Sequence, residues 1–331
     1  MTKTKRFVLG LGIFLISLFI VSLTIGSFPL SIEDIFHVVI GKSQDAMKIQ
    51  VFWNLRFSRV MMGIVAGLVL GVAGAVYQMV FANPLASPDL TGVATGASLG
   101  AALAIVLGAG TTYEMMSGAF MMGMLSLGLV LLLVKITGVH RTMTYLLAGI
   151  VISSVGNALL MLLKYMADPM GELAAIEFWT MGSLSSITLE KMLMSLIGVS
   201  IPLIFILLCH RPITMLSLGN DNATYLGLNT KRFQILILTL TTWMVGAVVA
   251  LTGVISFVGL IAPHIAYLLL HKRTEEFFIC SGLIGAILIL IGDLLSRSLI
   301  PGGELPLSIL TIFLASPVLV FSMYKQRGKL L

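Results

Sequence analysis

The sequence predicts an all-α, polytopic membrane protein of about ten transmembrane helices, and three observations carry that reading. Apolar residues fill 58% of the 331 positions and charged residues only 10%, against about 25% charged in a soluble domain. The apolar residues fall in runs close to the roughly 20 that a helix needs to cross a bilayer core of about 30 Å. Basic residues are shared unevenly between alternate loops, as they are in membrane proteins of fixed orientation.

In order, the candidate spans are 7–26, 58–80, 92–108, 115–136, 144–163, 191–209, 233–252, 256–270, 277–296 and 306–324. The first follows "MTKTKR" and has the outline of a signal peptide. Its apolar stretch exceeds a typical signal core and "TIGSF" lacks a small-x-small cleavage site, so a retained span is expected. With both termini inside, the inner segments hold Lys3, Lys5, Arg6, Lys135, Arg141, Arg211, Lys231, Arg232, Lys272, Arg273, Lys325, Arg327 and Lys329, 13 of the 20 basic residues. The outer side keeps Lys42, Lys48, Arg56, Arg59, Lys164, Lys191 and Arg297, with Glu33, Asp34, Asp45, Glu172 and Glu177 among them. This distribution predicts cytoplasmic termini. The net charge of +6 therefore reports orientation and contact with anionic lipid rather than nucleic acid. Cys209 and Cys280 lie in apolar runs and suggest no disulfide framework.

Span two is headed by "NLRFSR", which places Arg56 and Arg59 three residues apart on one helical face; Arg297 closes span nine, with Asp293 four residues before it as a possible ion-pair partner. Two readings of these arginines stand. They are snorkelling anchors, or they form an electropositive outer rim that docks an acidic partner.

"GLVLGVAGAVYQMVFANPLA" and "GAVVALTGVISFVGLIAPHI" share a spacing: Gly67, Gly74 and Pro84 recur as Gly246, Gly253 and Pro263, each 179 residues later. Because spans two and seven would run in opposite directions, the halves (about 58–163 and 233–325) read as an inverted repeat within one transmembrane domain, 1–331. Close helix packing of the small-xxx-small kind explains the glycines equally. Two inner loops stand out. "FANPLASPDLTG" must leave the helix at Pro84 and Pro88. "PITMLSLGNDNATYLGLNTKR", 212–232, reads as two short helices, with Gly219 ending the first, Asn220 capping the second and Gly227 stopping it. That hairpin is either a docking element or an interfacial amphipathic loop.

Catalytic constellations fail. "GASLG" fits G-x-S-x-G around Ser98, but it opens an apolar helix where the motif needs a strand–turn–helix elbow. The histidines His37, His140, His210, His264 and His271 have no metal-ligand spacing. Adjacent methionine pairs such as Met61–Met62 diverge around their helices and read as packing. No G-x-x-x-x-G-K-[ST] occurs, so ATP binding through a P-loop is excluded. Asp293 is the one acidic residue placed within a span, few for a proton-driven carrier.

The stretches "LRFSR", "AGLVLGVAGAVYQMVFANPLASPDLTGVATGASLGA", "FWTMGSL", "LGNDNATYLGLN", "GVISFVGLIAPHIAYLL", "GDLLSR" and "ELPLSILTIFLASPVLV" together resemble, in order and across about 50 to 325, the permease subunit of type II ABC importers (the FecCD family). That family takes up ferric siderophores, haem and cobalamin. The resemblance implies a ten-span subunit paired with a second permease subunit, as a homodimer or close heterodimer, in the bacterial cytoplasmic membrane. It implies two ATP-binding subunits, which use ATP and Mg, and a substrate-binding protein outside; the chain itself would bind no cofactor. Arg56, Arg59 and Arg297 match the family's docking positions. Leu218, Gly219, Asp221, Ala223, Leu226 and Gly227 match its coupling helices, and Asn83 and Leu85 its cytoplasmic gate. The pathway would follow span five, with Asn157 and Met161, the helix containing "FWTMGSL", and span ten. "HRTMT" departs from the pattern, so no gate residue is assigned there. A ferric siderophore or similar iron chelate is the expected cargo, with cobalamin or haem as alternatives. Reversing the charge of both Arg56 and Arg59 is expected to abolish docking and leave folding intact. Readings from other classes are an ion-coupled secondary carrier and an intramembrane hydrolase dependent on Ser98 or Asp293.

Overall fold

A computed structural model describes residues 3–26, 28–108, 111–139, 142–300 and 303–327. His140 and Arg141 of "HRTMT", and Lys329, lie outside the described residues. The helices are α1 (Lys3–Thr24), α2 (Ile32–Val39), α3 (Ala46–Gln50), α4 (Ser58–Val80), α5 (Val93–Val106), α6 (Thr112–Thr137), α7 (Thr142–Met166) and α8 (Glu172–Met181). They continue as α9 (Leu189–Leu208), α10 (His210–Leu216), α11 (Asn220–Tyr225), α12 (Thr230–Thr252), α13 (Val258–Leu270), α14 (Glu275–Ser298) and α15 (Leu307–Arg327).

Each predicted span is a helix, but two fall short of full spans. Among the described residues, seven helices are long and apolar enough to cross a bilayer, one of them the continuous run Ala46–Val80. With 14 and 13 residues, α5 and α13 rise only about 20 Å. Spans three and eight are therefore corrected to part-length helices completed by irregular backbone. Pro88 and Gly92, the latter at φ +74°, break the chain before α5. Gly253, at φ +68°, ends α12, and the four residues after it, 254–257, are non-helical, Phe257 at φ +68° turning the chain into α13. Such backbone is tolerated at membrane depth only where protein or a cavity surrounds it. Here Ser183 donates its amide to the Thr252 carbonyl at 2.8 Å, and Ser308 Oγ donates to the Val254 carbonyl at 2.9 Å.

Burial sorts the helices into layers. The apolar window of Ala46–Val80 is 83% buried, and those of α14 and α12 are 67% and 61% buried, whereas α1 and α7 are each 17% buried. The central helices meet through small residues. A Cβ on Gly67 would overlap the Ala286 backbone, and one on Gly285 the Gly67 carbonyl, so α4 and α14 touch main chain to main chain. At Gly74 the neighbour is the Gly259 carbonyl. That carbonyl has no helical donor because the residue four later is Pro263.

The element order long–short–long–long occurs twice, as α4–α5–α6–α7 and as α12–α13–α14–α15. The halves exchange partners: α4 packs on α14 and α12 on α6, while α5 packs on α6 and α13 on α14. Two units related by an internal two-fold axis pack this way. The residue offset does not mark the equivalence, however. Gly74 lies within α4 whereas Gly253 ends α12, and Pro84 lies in a loop whereas Pro263 lies inside α13.

The sequence reading missed α2. Ser31 caps it, accepting the Asp34 amide at 3.0 Å, and Asp34 closes the capping box. Asp34 also accepts from Lys48 Nζ at 2.6 Å. Those bonds, the Lys48 one foremost, hold the Asp34 carboxyl down to about 2.

Gly67→Leu is expected to lower the thermal unfolding temperature of the purified protein by several degrees, since overpacking a core costs about 1–3 kcal/mol or more. Gly128→Leu, at an exposed position on α6 where an added Cβ meets nothing within 4 Å, is expected to leave it unchanged.

Candidate functional site

Two sites lie at opposite ends of α4. The first begins in the π-helical turn Val51–Phe57, which joins α3 to α4. Its wider winding brings Ser58 Oγ to the Trp53 carbonyl, 2.5 Å away, and packs Trp53 against Phe57 with ring centroids 5.1 Å apart. Single π-turns inside longer helices concentrate at functional sites. Here the turn faces Arg56 and Arg59 inward.

Arg59 is fully engaged. Its Nε donates to Asp293 Oδ1 at 2.7 Å, and its two terminal nitrogens donate to Glu304 Oε1 and Oε2 at 2.5 and 3.0 Å. Arg297 donates to the Ile25 and Ser22 carbonyls at 2.8 and 2.9 Å and to Ser22 Oγ at 2.5 Å; its Nε lies 3.3 Å from Asp293 Oδ2. That last contact is the ion pair expected from the i, i+4 spacing. Arg56 donates to the Ile25 carbonyl and, at 2.8 Å, to the Phe28 carbonyl. It takes part in none of the ion pairs among the described residues. Three guanidinium groups thus meet two carboxylates, leaving one positive charge in excess. All three arginines and Glu304 line a cavity of about 230 Å³, with Gly26 and Ser185 on its wall.

This arrangement corrects the picture of a projecting rim. Arg56 is 5% exposed and Arg59 9%, so neither snorkels. Reversing Arg59 would set three carboxylates together in a buried site, and the expectation that folding survives that change is withdrawn. Spacing along the chain could not reveal the cause, because Asp293 and Glu304 lie 234 and 245 residues from Arg59.

The second site gathers where α4 ends and α14 begins. There α10 packs on α4, and Thr214 Oγ1 donates to the Arg273 carbonyl at 3.3 Å. The hairpin forms as two short helices, turned by Gly219 at φ +93° and ended at Gly227 at φ +87°. Gly219, not Asn220, is the residue that caps α11. Asn220 opens the helix, and its Oδ1 accepts from Gln234 Nε2 at 2.7 Å, tying the hairpin to α12. Leu218, Asp221, Leu226 and Gly227 are exposed, as is Tyr225 at 89%; Ala223 is fully buried and packs beneath them. Asn83 forms a tight turn at the end of α4, its Oδ1 accepting the Leu85 amide at 2.9 Å, with Leu85 exposed. Behind the turn Tyr77 Oη lies 2.8 Å from Thr91 Oγ1 and 3.3 Å from Thr242 Oγ1.

Asn157 and Met161 belong to neither cluster. Both are exposed on α7, which Lys164 ties to Glu177 of α8 at 2.9 Å. An apolar cavity of about 250 Å³, lined by Met115, Met116, Phe178, Trp179 and Ser183 among others, opens beside α8 and the end of α12. Ser98 donates to the Ala94 carbonyl at 2.9 Å within α5, so no nucleophile elbow exists there.

The profile of the FecCD transport family matches residues 14–325. The chain belongs to the FecCD transport family. Among FecCD relatives, a protein of Methanocaldococcus jannaschii provisionally named an ABC transporter permease is 35% identical, covering 97% of this chain and 96% of that one. The molybdate import system permease of Haemophilus influenzae is 30% identical over 98% and 97% of the two chains. The hemin transport system permease of Yersinia pestis is 32% identical over 65% and 64%. A solved structure, described as the inward-facing conformation of a transporter provisionally assigned to the metal-chelate type of ABC transporter, superposes with a TM-score of 0.87 at 30% identity, covering 97% of this chain and 99% of that one. This FecCD chain is an ABC importer permease, a multi-pass membrane protein.

Asp293 should behave as the keystone of the arginine cluster. Asp293→Asn is expected to cost about 3–5 kcal/mol by leaving buried guanidinium groups uncompensated. In a double-mutant cycle with Arg59→Met, measured by thermal unfolding, the two losses should sum to clearly more than the loss in the double variant.

Proposed function

We propose that this permease carries a ferric siderophore or similar iron chelate across the cytoplasmic membrane, driven by two ATP-binding subunits and loaded by an extracytoplasmic substrate-binding protein. The observation that carries this reading is the span of α4. This largely buried helix runs from a cavity with an unpaired guanidinium to the turn of Asn83 and Leu85, beside an exposed helical hairpin. One element therefore joins a surface suited to a carboxylate with a surface suited to an ATPase cleft.

The binding protein docks by offering acidic side chains to the cavity of Arg56, Arg59 and Arg297. Arg56 is the principal contact, because its charge has no carboxylate partner in this chain and a planar guanidinium pairs well with carboxylate. At the cytoplasmic end, Leu218, Asp221, Leu226 and Gly227 present the ATPase contact; Gly219 and Ala223 shape the hairpin. ATP-driven closure of the ATPases moves the hairpin, and Gln234 passes that motion to α12. Asn83 and Leu85 then gate the exit. A second permease subunit covers the exposed face of α7. Asn157, exposed in the middle of α7, suits a pathway between two subunits, since polar groups facing lipid are costly. Both termini lie in the cytoplasm, as the inner excess of basic residues requires. The chain performs no covalent chemistry; ATP and Mg belong to the partners.

The cargo rests on kinship. Relatives are named as permeases for hemin, vitamin B12, iron(3+)-hydroxamate and molybdate. Uptake of labelled ferric siderophores, haem, cobalamin and molybdate, with and without this chain, tests the assignment. Loss confined to ferric chelates is expected; loss confined to another cargo would replace the substrate and keep the mechanism. Arg56→Gln, which keeps an N–H donor for the Ile25 and Phe28 carbonyls, should lower that uptake at least tenfold while the assembled transporter still forms. Leu218→Asp with Leu226→Asp should instead abolish co-purification of the ATPase subunits and leave the permease folded, as read by its unfolding temperature.

A further inference from the structure

Of the two carboxylates that neutralise the arginine cavity, Asp293 and Glu304 are not equivalent. Asp293 is fully buried on α14, whereas the Glu304 side chain is 31% exposed and sits at the cavity mouth. Glu304 engages Arg59 through both oxygens, the geometry an incoming carboxylate would adopt. It also hangs on a short segment tied into the bundle. The Leu305 amide donates to the Ser296 carbonyl at 3.2 Å, and Ser296 Oγ donates back to the Leu305 carbonyl at 2.5 Å. The Leu307 amide donates to the Gly182 carbonyl at 3.0 Å, and Ser308 Oγ to the Val254 carbonyl at 2.9 Å. The segment carrying Glu304 is therefore fastened to the turn after α8 and to the break between α12 and α13.

We propose that Glu304 is an internal stand-in for the partner's carboxylate: it occupies Arg59 in the resting transporter, and an acidic side chain of the binding protein displaces it on docking. This rests on the docking role proposed for the cavity. Displacement does two things. It makes docking an exchange of one carboxylate for another at Arg59, so affinity stays moderate while Arg56 supplies the net attraction. It also removes a tie on residues 303–306, which lead directly into Leu307, bonded to the turn after α8, and Ser308, bonded to the α12–α13 break. Docking at the rim is thereby communicated to irregular backbone within the bundle, with Asp293 keeping Arg59 and Arg297 in place throughout.

The test uses the assembled transporter in lipid nanodiscs, titrated with its binding protein. Glu304→Gln keeps the shape of the side chain and one acceptor oxygen, and Arg59 retains Asp293. Its expected effect is binding about tenfold tighter, as befits removal of a competing ion pair. Unchanged or weaker binding in Glu304→Gln, with Arg56→Gln weakening it, would make Glu304 a simple brace and overturn the proposal while docking at the arginines stands. If Arg56→Gln leaves affinity unaltered, the docking reading falls and the exchange falls with it. A measurement on the unaltered chain needs no variant to fold. The amides of Leu305 and Leu307 should exchange with deuterium faster once binding protein is docked, and unchanged or slower exchange would count against displacement.

Discussion

Gly67 and Gly285 let the backbones of α4 and α14 meet with no side chain between them, and the bundle is arranged around that contact. In lipid there is no hydrophobic drive between helices, so close packing of small residues has to supply the attraction. Once α4 and α14 touch, Arg59 at the head of one reaches Asp293 on the other, and the hairpin of α10 and α11 finds its seat at the far end. The two functional regions are thus set by one interhelical approach.

The ion network depends on the same approach for its tolerance. Buried charges are costly unless paired and fully hydrogen-bonded. Asp293 takes Arg59 on one oxygen and faces Arg297 on the other, and backbone carbonyls at the end of α1 and just beyond it accept further bonds from Arg56 and Arg297. The cluster retains one excess charge beside a cavity, a state favoured only where an anion can arrive. Near the end of α12, irregular backbone around Gly253 finds its partners in Ser183 and Ser308. Ser308 follows closely on the segment carrying Glu304, so that segment and the irregular backbone are neighbours through the start of α15.

Much of this was legible from residue order. Apolar runs located the helices of the bundle, because hydrocarbon favours helical backbone, but did not show that α5 and α13 stop short of full spans. Pro84 and Pro88 marked the break after α4, because proline lacks an amide donor. Gly219 and Gly227 bounded the hairpin, because both adopt left-handed backbone there. The inverted plan was visible as well, although Gly253 and Pro263 do not occupy the local settings of Gly74 and Pro84. Packing repeats element by element and tolerates shifts of several residues, so an offset read from single residues misplaces the correspondence.

Composition, spacing and charge asymmetry therefore determined the class of the protein, its helices and the identity of the arginines, since these follow from local preference and from the bilayer as solvent. Only the tertiary structure decided that Arg56 and Arg59 turn inward, that Glu304 closes over Arg59, and that Ala223 lies beneath the hairpin surface. Each of these depends on groups far apart in the chain, 245 residues in the case of Glu304 and Arg59. Charge pairing between such groups is specified by how helices pack, and no periodicity along the sequence records it.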